Sequence, residues 1–180
     1  MNYLKIEKTS IANGEGIRVV LWCAGCRLHC KNCQNPQSWD FNAGRLFDEA
    51  AKSELFDALN KPYIQGITFS GGHPLEYENV GTLLDLIKEI KEKFPTKDIW
   101  LYTGYELNIS NFISKIRGIT NHDNHHNIIQ ETLSLCDVVV DGKYVDELRN
   151  ITLKWRGSEN QRVIDVKTSL EQGKIELWEQ

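Results

Sequence analysis

The sequence predicts an α/β fold: an incomplete β/α barrel on a mostly parallel sheet of about five strands. Three observations predict it. Short apolar runs alternate with segments of helical periodicity, the pattern of crossover units between parallel strands. The β-branched run Val138-Val139-Val140 reads as a buried strand. The strand count falls short of the eight that a closed barrel requires.

Taken in order, residues 4–6 and 17–22 read as strands, separated by the turn Asn13-Gly14-Glu15-Gly16. Asp48 is placed to cap a helix whose apolar positions are Ala51, Leu55, Phe56 and Leu59. Residues 66–70 form a strand closed by Gly71-Gly72 and Pro74. The clearest helix spans residues 79–94. Val80, Leu83, Leu84, Ile87, Ile90 and Phe94 share one face of it, and Pro95 stops it. Residues 99–103 and 137–141 are strands, with helices expected over 106–116 and 128–135. Beyond Trp155 the chain reads as irregular up to Arg162-Val163-Ile164-Asp165-Val166. Ile175, Leu177 and Trp178 are expected to add a last strand or to cover the open side of the sheet. No internal repeat or linker divides the chain, so residues 1–180 are expected to form one domain.

Composition narrows the class. Of 180 residues, 41% are hydrophobic and 26% charged, the balance of an ordinary globule. A net charge of −4 and a pI near 5.8 give no sign of a nucleic-acid or membrane surface. The first residues carry no apolar leader run, so a cytoplasmic location is expected. Clustered cysteines there favour metal or redox chemistry over structural disulfides.

Four of the five cysteines fall in Cys23-Ala24-Gly25-Cys26-Arg27-Leu28-His29-Cys30-Lys31-Asn32-Cys33. Three readings compete. Structural zinc would take all four, although zinc ribbons usually separate their cysteine pairs by a longer loop. A closed ferredoxin-type cluster would recruit Cys23 as its fourth ligand. The spacing Cys26-x3-Cys30-x2-Cys33 suits an iron–sulfur cube with one iron left open, and Cys23 is then a small buried hydrophobe at a strand end. Two further groups invite a chemical reading and receive a plain one. The polar tract 121–127, with His122, His125 and His126, is expected to be a solvated insertion. Cys136, beside the core valines, is expected to be inert.

The cysteine loop resembles that of the radical S-adenosylmethionine (SAM) enzymes. The wider text narrows the likeness. Asn13-Gly14-Glu15-Gly16-Ile17-Arg18, Cys33-Gln34-Asn35-Pro36, Phe69-Ser70-Gly71-Gly72-His73-Pro74-Leu75, Tyr102-Thr103-Gly104-Tyr105, Val140-Asp141-Gly142-Lys143-Tyr144 and Trp155 to Arg162 are, in that order, similar to the activating proteins of anaerobic (class III) ribonucleotide reductases. The resemblance implies a radical SAM type of partial barrel. It also implies a [4Fe-4S] cluster on Cys26, Cys30 and Cys33, and SAM at its open iron. Reductive cleavage of SAM then removes hydrogen from a glycine of anaerobic ribonucleoside-triphosphate reductase, with an electron donor such as reduced flavodoxin. The activase of another glycyl-radical enzyme, of the pyruvate formate-lyase type, and a non-enzymatic iron–sulfur or zinc protein are the alternatives.

The same resemblance assigns the ligand site. Many radical SAM proteins carry an aromatic residue where this chain has Asn32; Asn32 and Gln34 are expected to meet adenine through backbone groups. Ser70, Gly71, Gly72 and His73 are expected to meet the amino group of SAM. The third motif position is commonly acidic, so the glycines carry more of this expectation than His73 does. Thr103 adds a hydroxyl. A strand period of two is expected to put Asp141 and Lys143 on one side, facing the ammonium and carboxylate of the ligand. Arg156, Ser158, Asn160 and Arg162 are expected to contact the partner reductase. No catalytic acid or base is expected, since the chemistry belongs to the cofactors.

Overall fold

A computed structural model describes residues 1–108 and 124–178 of the chain. Its seven strands are β1 (Asn2–Ser10), β2 (Arg18–Cys23), β3 (Arg45–Leu46), β4 (Gly66–Gly71), β5 (Asp98–Tyr102), β6 (Val138–Asp141) and β7 (Arg162–Asp165). They form one sheet in the order β3-β1-β2-β4-β5-β6-β7. The helices are α1 (Glu49–Leu59), α2 (Tyr77–Lys93), α3 (Asn124–Ser134) and α4 (Val166–Gln172).

This corrects the expected sheet. Only the β2-β4, β4-β5 and β5-β6 pairs are parallel; β1 with β2, β1 with β3 and β6 with β7 are antiparallel. The sheet is therefore mixed, with seven strands instead of about five, and its strand order does not make a clear partial barrel of the radical SAM type. The added strands are the two-residue edge strand β3, which apolar patterning does not reveal, and β7, which occupies the Arg162-Val163-Ile164-Asp165 run where the irregular stretch ends.

Strand alternation divides the core in two. Val19, Leu21, Ile67, Phe69, Ile99, Leu101 and Val139 point to one face, where they meet Leu55, Leu59, Leu83, Ile87, Ile90 and Leu133 from the helices. The other face has no helix against it among the described residues. It gathers Trp100, Val138, Val140 and Val163 under Trp155 and Trp178. Trp178 accordingly covers that face, and Leu177 makes an isolated bridge to Ile164, so both expectations for the tail are met in part.

Arg18 lies on the face without helices and is fully buried. Its guanidinium donates to Thr68 Oγ1 (2.8 Å), to the carbonyl of Ile67 (2.8 Å) and to that of Glu15 (3.0 Å). It also pairs with Asp98. Burial pulls the Arg18 pKa down and Asp98 opposes that pull. Thr68 in turn donates to the Asn13 carbonyl at 2.6 Å, so the Gly-rich turn is pinned across the sheet.

The local signals for helices hold. Asp48 caps α1 by accepting from Ala51 N–H at 2.9 Å. The long amphipathic helix starts two residues earlier than expected, at Tyr77, and Phe94 ends it. The helix expected over 106–116 falls mostly outside the described residues. The tract 121–127 needs a correction, because Asn124 to Asn127 open α3 instead of lying in a loop. His125 packs near the Tyr77 ring at 5.1 Å, and His126 Nε2 lies 2.6 Å from Gln130 Nε2.

Candidate functional site

The carboxyl ends of the parallel strands open on a cleft of about 180 Å³. Ligands of open α/β sheets are held at this end of the strands. Trp22, Ser70, Gly71, Tyr102, Thr103 and Gly142 form its floor, and Cys26, Cys30 and Cys33 line its wall. Cys23 does not. It shares the strand face of Val19 and Leu21, is fully buried, and burial pushes its thiol up to about 12.

The loop that carries the three cysteines is fastened at both sides. Gly25 N–H donates to the Ser38 carbonyl (2.8 Å) and Cys26 N–H to that of Trp39 (3.1 Å). His29 stacks on Trp39 with ring centroids 4.6 Å apart. On the other side Glu76, at the start of α2, accepts from Arg27 N–H (2.8 Å) and from its guanidinium (2.7 Å). The Glu76 side chain therefore makes no capping bond to its own helix. Sequence reading misses this pair, because the two stand 49 positions apart and Arg27 fills a variable position between Cys26 and Cys30.

Burial alone would raise the Glu76 pKa; contacts from His73 and Arg27 outweigh it and hold the carboxyl at about 2. A depressed carboxylate stabilises the fold above its ordinary value of 4.5, and that contribution is lost as pH falls towards 2. Glu76→Gln should therefore cost about 1.5–3 kcal/mol at neutral pH, the worth of a charge-assisted hydrogen bond. The difference from the parent should shrink on acidification. Urea titrations at pH 7 and pH 3 measure it; a difference that stays constant with pH would remove Glu76 from the role of anchor.

The expected ligand residues separate into three groups. Gln34, Ser70, Gly71, Gly72, His73 and Thr103 line the cleft with the cysteines. Gly72 sits so close to the cysteine loop that a Cβ there would lie 2.5 Å from the Gly25 carbonyl oxygen and 2.9 Å from that of Ser38. His73 is buried, with Nε2 at 2.9 Å from Thr103 Oγ1 and Nδ1 at 3.4 Å from Glu76 Oε1. It braces the wall from behind.

Asn32 and Lys143 stand at the rim, outside the lining. Asn32 adopts a left-handed φ of 54° and donates to Asp146 Oδ2 at 2.7 Å. Lys143 is exposed. Burial raises the Cys30 thiol, while the Lys143 charge and the Tyr144 backbone N–H pull it down.

Asp141 faces away from the cleft. Its side chain has the parity of Val139, on the helix face, and is fully buried. It accepts from Arg162 Nε (3.0 Å), Arg162 Nη2 (2.5 Å) and Leu107 N–H (2.7 Å). The alternation that would have joined it to Lys143 ends at Gly142, whose φ of 92° breaks the extended backbone. Of the residues expected to meet a partner, Ser158 is fully buried and Arg162 is committed to Asp141, which corrects both. Arg156 donates to the Gln161 carbonyl, and Asn160 to that of Lys143. Cys136 is buried and donates to the Thr132 carbonyl.

Among the described residues, no three His, Cys, Asp or Glu side chains converge on one point as a single metal ion requires. A four-iron cube spreads its cysteines over separate irons. Three thiols opening on one cleft, with the fourth buried on the helix face of the sheet, fit that group.

This arrangement is compatible with one class, that of domains with a single iron–sulfur cluster. Residues 12–164 match the family model of the 4Fe-4S single cluster domain. Full-length relatives sharpen the assignment. An anaerobic ribonucleoside-triphosphate reductase-activating protein of Haemophilus influenzae is 40% identical over 163 residues, covering 89% of this chain and 96% of the relative. The protein of the same name from Enterobacteria phage T4 is 39% identical, covering 91% and 93%. That of Escherichia coli K12 is 37% identical over 165 residues, covering 91% and 97%. The chain belongs to the family of anaerobic ribonucleoside-triphosphate reductase-activating proteins.

Proposed function

We propose that this protein reductively cleaves SAM at a [4Fe-4S] cluster held by Cys26, Cys30 and Cys33, and takes hydrogen from a glycine of its anaerobic ribonucleoside-triphosphate reductase. The observation that carries the reading is the opening of these three thiols onto the cleft that Gly71, Gly72 and Thr103 line. A simple electron carrier has no use for such a cleft beside its cluster. When bound, cluster and SAM supply one electron to the sulfonium and the carbon radical that takes the glycine hydrogen.

The protein's own residues bind, orient and exclude water. The backbone of Ser70, Gly71 and Gly72 approaches the methionyl end of the ligand, with the Thr103 hydroxyl beside it. Lys143 supplies positive charge at the rim for the carboxylate. His73 and Glu76 brace this wall and tie it to the cysteine loop. Asp141 acts one step removed, by holding Arg162 and the strand end that carries Gly142. Asn32 holds the loop through Asp146. No helix among the described residues is long and apolar enough to cross a membrane. A cytoplasmic setting and a donor such as reduced flavodoxin complete the reading.

Anaerobic reconstitution tests it. The cluster-loaded protein with dithionite should convert SAM to 5′-deoxyadenosine and methionine. Added reductase should then show a glycyl radical by electron paramagnetic resonance. Full iron occupancy with no SAM cleavage would sink the reading.

A further inference from the structure

Gln161, the residue before β7, is buried at the edge of the cleft and directs both ends of its carboxamide at backbone. Its oxygen accepts from the Gly157 N–H (2.9 Å) and the Ser158 N–H (3.1 Å). Its nitrogen donates to the Gly142 carbonyl at 3.1 Å, across 19 residues. Donors on one atom and an acceptor on the other fix the orientation of the amide.

Neighbouring side chains hold the same turn. Asn160 donates to the Lys143 carbonyl at 2.8 Å. Ser158 Oγ accepts from the Val145 N–H (3.2 Å) and lies 3.3 Å from Gln161 Oε1. Residues 158–161 thus tie the turn after β6 at Gly142, Lys143 and Val145, where the φ of 92° at Gly142 has just taken it out of the strand.

What this turn meets is the cysteine loop. Asn32 donates to Asp146 Oδ2 at 2.7 Å, and Lys31 to Glu147 Oε1 at 2.6 Å. Just ahead of these contacts, the Tyr144 backbone N–H and the Lys143 charge face the Cys30 thiol. An N–H donor and a positive charge at a sulfur ligand favour the reduced form of a cluster, which carries one more negative charge. The effect weakens as the groups move away.

We infer that Gln161 is a positioning residue for the reduction step, fixing the turn Gly142-Lys143-Tyr144 against Cys30 so that the cluster is reduced more readily. One electron leaves the external donor and enters the cluster; no bond forms or breaks in this step. The inference rests on the reading of Cys26, Cys30 and Cys33 as cluster ligands. It goes beyond that reading by naming a residue that sets the potential without touching the cluster.

The test is a redox titration of the anaerobically reconstituted, cluster-loaded protein without SAM, followed by electron paramagnetic resonance. Gln161→Met keeps the length of the side chain and removes its hydrogen bonds. Its iron content should match the parent's, and its midpoint potential should move to more negative values. Asn160→Ala, at an exposed position, should move the potential the same way by less. Lys143→Ala should also shift it negatively. Adding Gln161→Met to Lys143→Ala should give less than the sum of the two shifts, because both act through one turn. Parent potentials in Gln161→Met and Asn160→Ala overturn the inference, even with a lowered urea midpoint, which is all that a merely structural residue would show. A positive shift overturns it as well, and so does full additivity with Lys143→Ala. Should Gln161→Met fail to fold, an unshifted Asn160→Ala overturns it alone. A parent protein that takes up no iron overturns the cluster reading itself, whereas iron uptake with unshifted variants overturns only the inference.

Discussion

Replacing Cys26, Cys30 or Cys33 with alanine should reduce iron after anaerobic reconstitution to background, whereas Cys23→Ala should retain the parent's iron content. The reason is where the four thiols point. Three open on the cleft, and the fourth lies fully buried on the helix side of β2. A cluster has no path to Cys23 unless the strand end unpairs from Tyr3 and Gly71. The Cys23 variant loses a small buried side chain and should cost about 1 kcal/mol of stability, an ordinary core effect. Iron and sulfide analysis with the visible absorption spectrum measures the outcome. Loss of iron in Cys23→Ala, with the fold intact by circular dichroism, would make the cluster closed and four-coordinate. A colourless protein holding zinc would return the loop to the structural reading.

What the chain disclosed and what it hid follow one physical rule. The cysteine loop was legible because its three candidate ligands lie close together in the chain, at the spacing Cys26-x3-Cys30-x2-Cys33. The amphipathic helix α2 and the Asp48 cap were legible for the same reason, since local periodicity and capping act within a few residues. The antiparallel strands were half legible. Residues 4–6 show β1, but its pairing with a two-residue β3 depends on partners more than forty positions away. The anchors of the site were hidden altogether. Arg27 and Glu76, or Asn32 and Asp146, meet only after the sheet has brought distant loops together. Arg18 appeared in a motif, yet nothing local shows that an arginine would be the largest charged group buried, against the Trp100 ring.

Asp141→Ala should lower the unfolding free energy of the protein by about 2–4 kcal/mol in the absence of any ligand. Breaking a buried ion pair from one side costs roughly 3–5 kcal/mol. The estimate is trimmed because the Arg162 side chain is 36% exposed and keeps part of its hydration. The Leu107 N–H also loses its acceptor, in a place where water replaces it poorly. Asp141→Asn should fall between, since the amide keeps one oxygen for either partner but no charge. Arg162→Ala should destabilise as well, because it leaves a fully buried carboxylate with the Leu107 amide alone. The alternative assignment, in which Asp141 meets the ammonium group of SAM, makes an opposite demand. Asp141→Ala would then leave ligand-free stability unchanged and weaken SAM binding only. Urea titration of the ligand-free variant, set beside equilibrium binding of SAM to its reconstituted form, separates the two. Unchanged stability with lost binding would return Asp141 to the ligand site. Lost stability would fix its role as the tie between β6 and β7, the strand end from which Gly142 and Tyr144 enter the cleft.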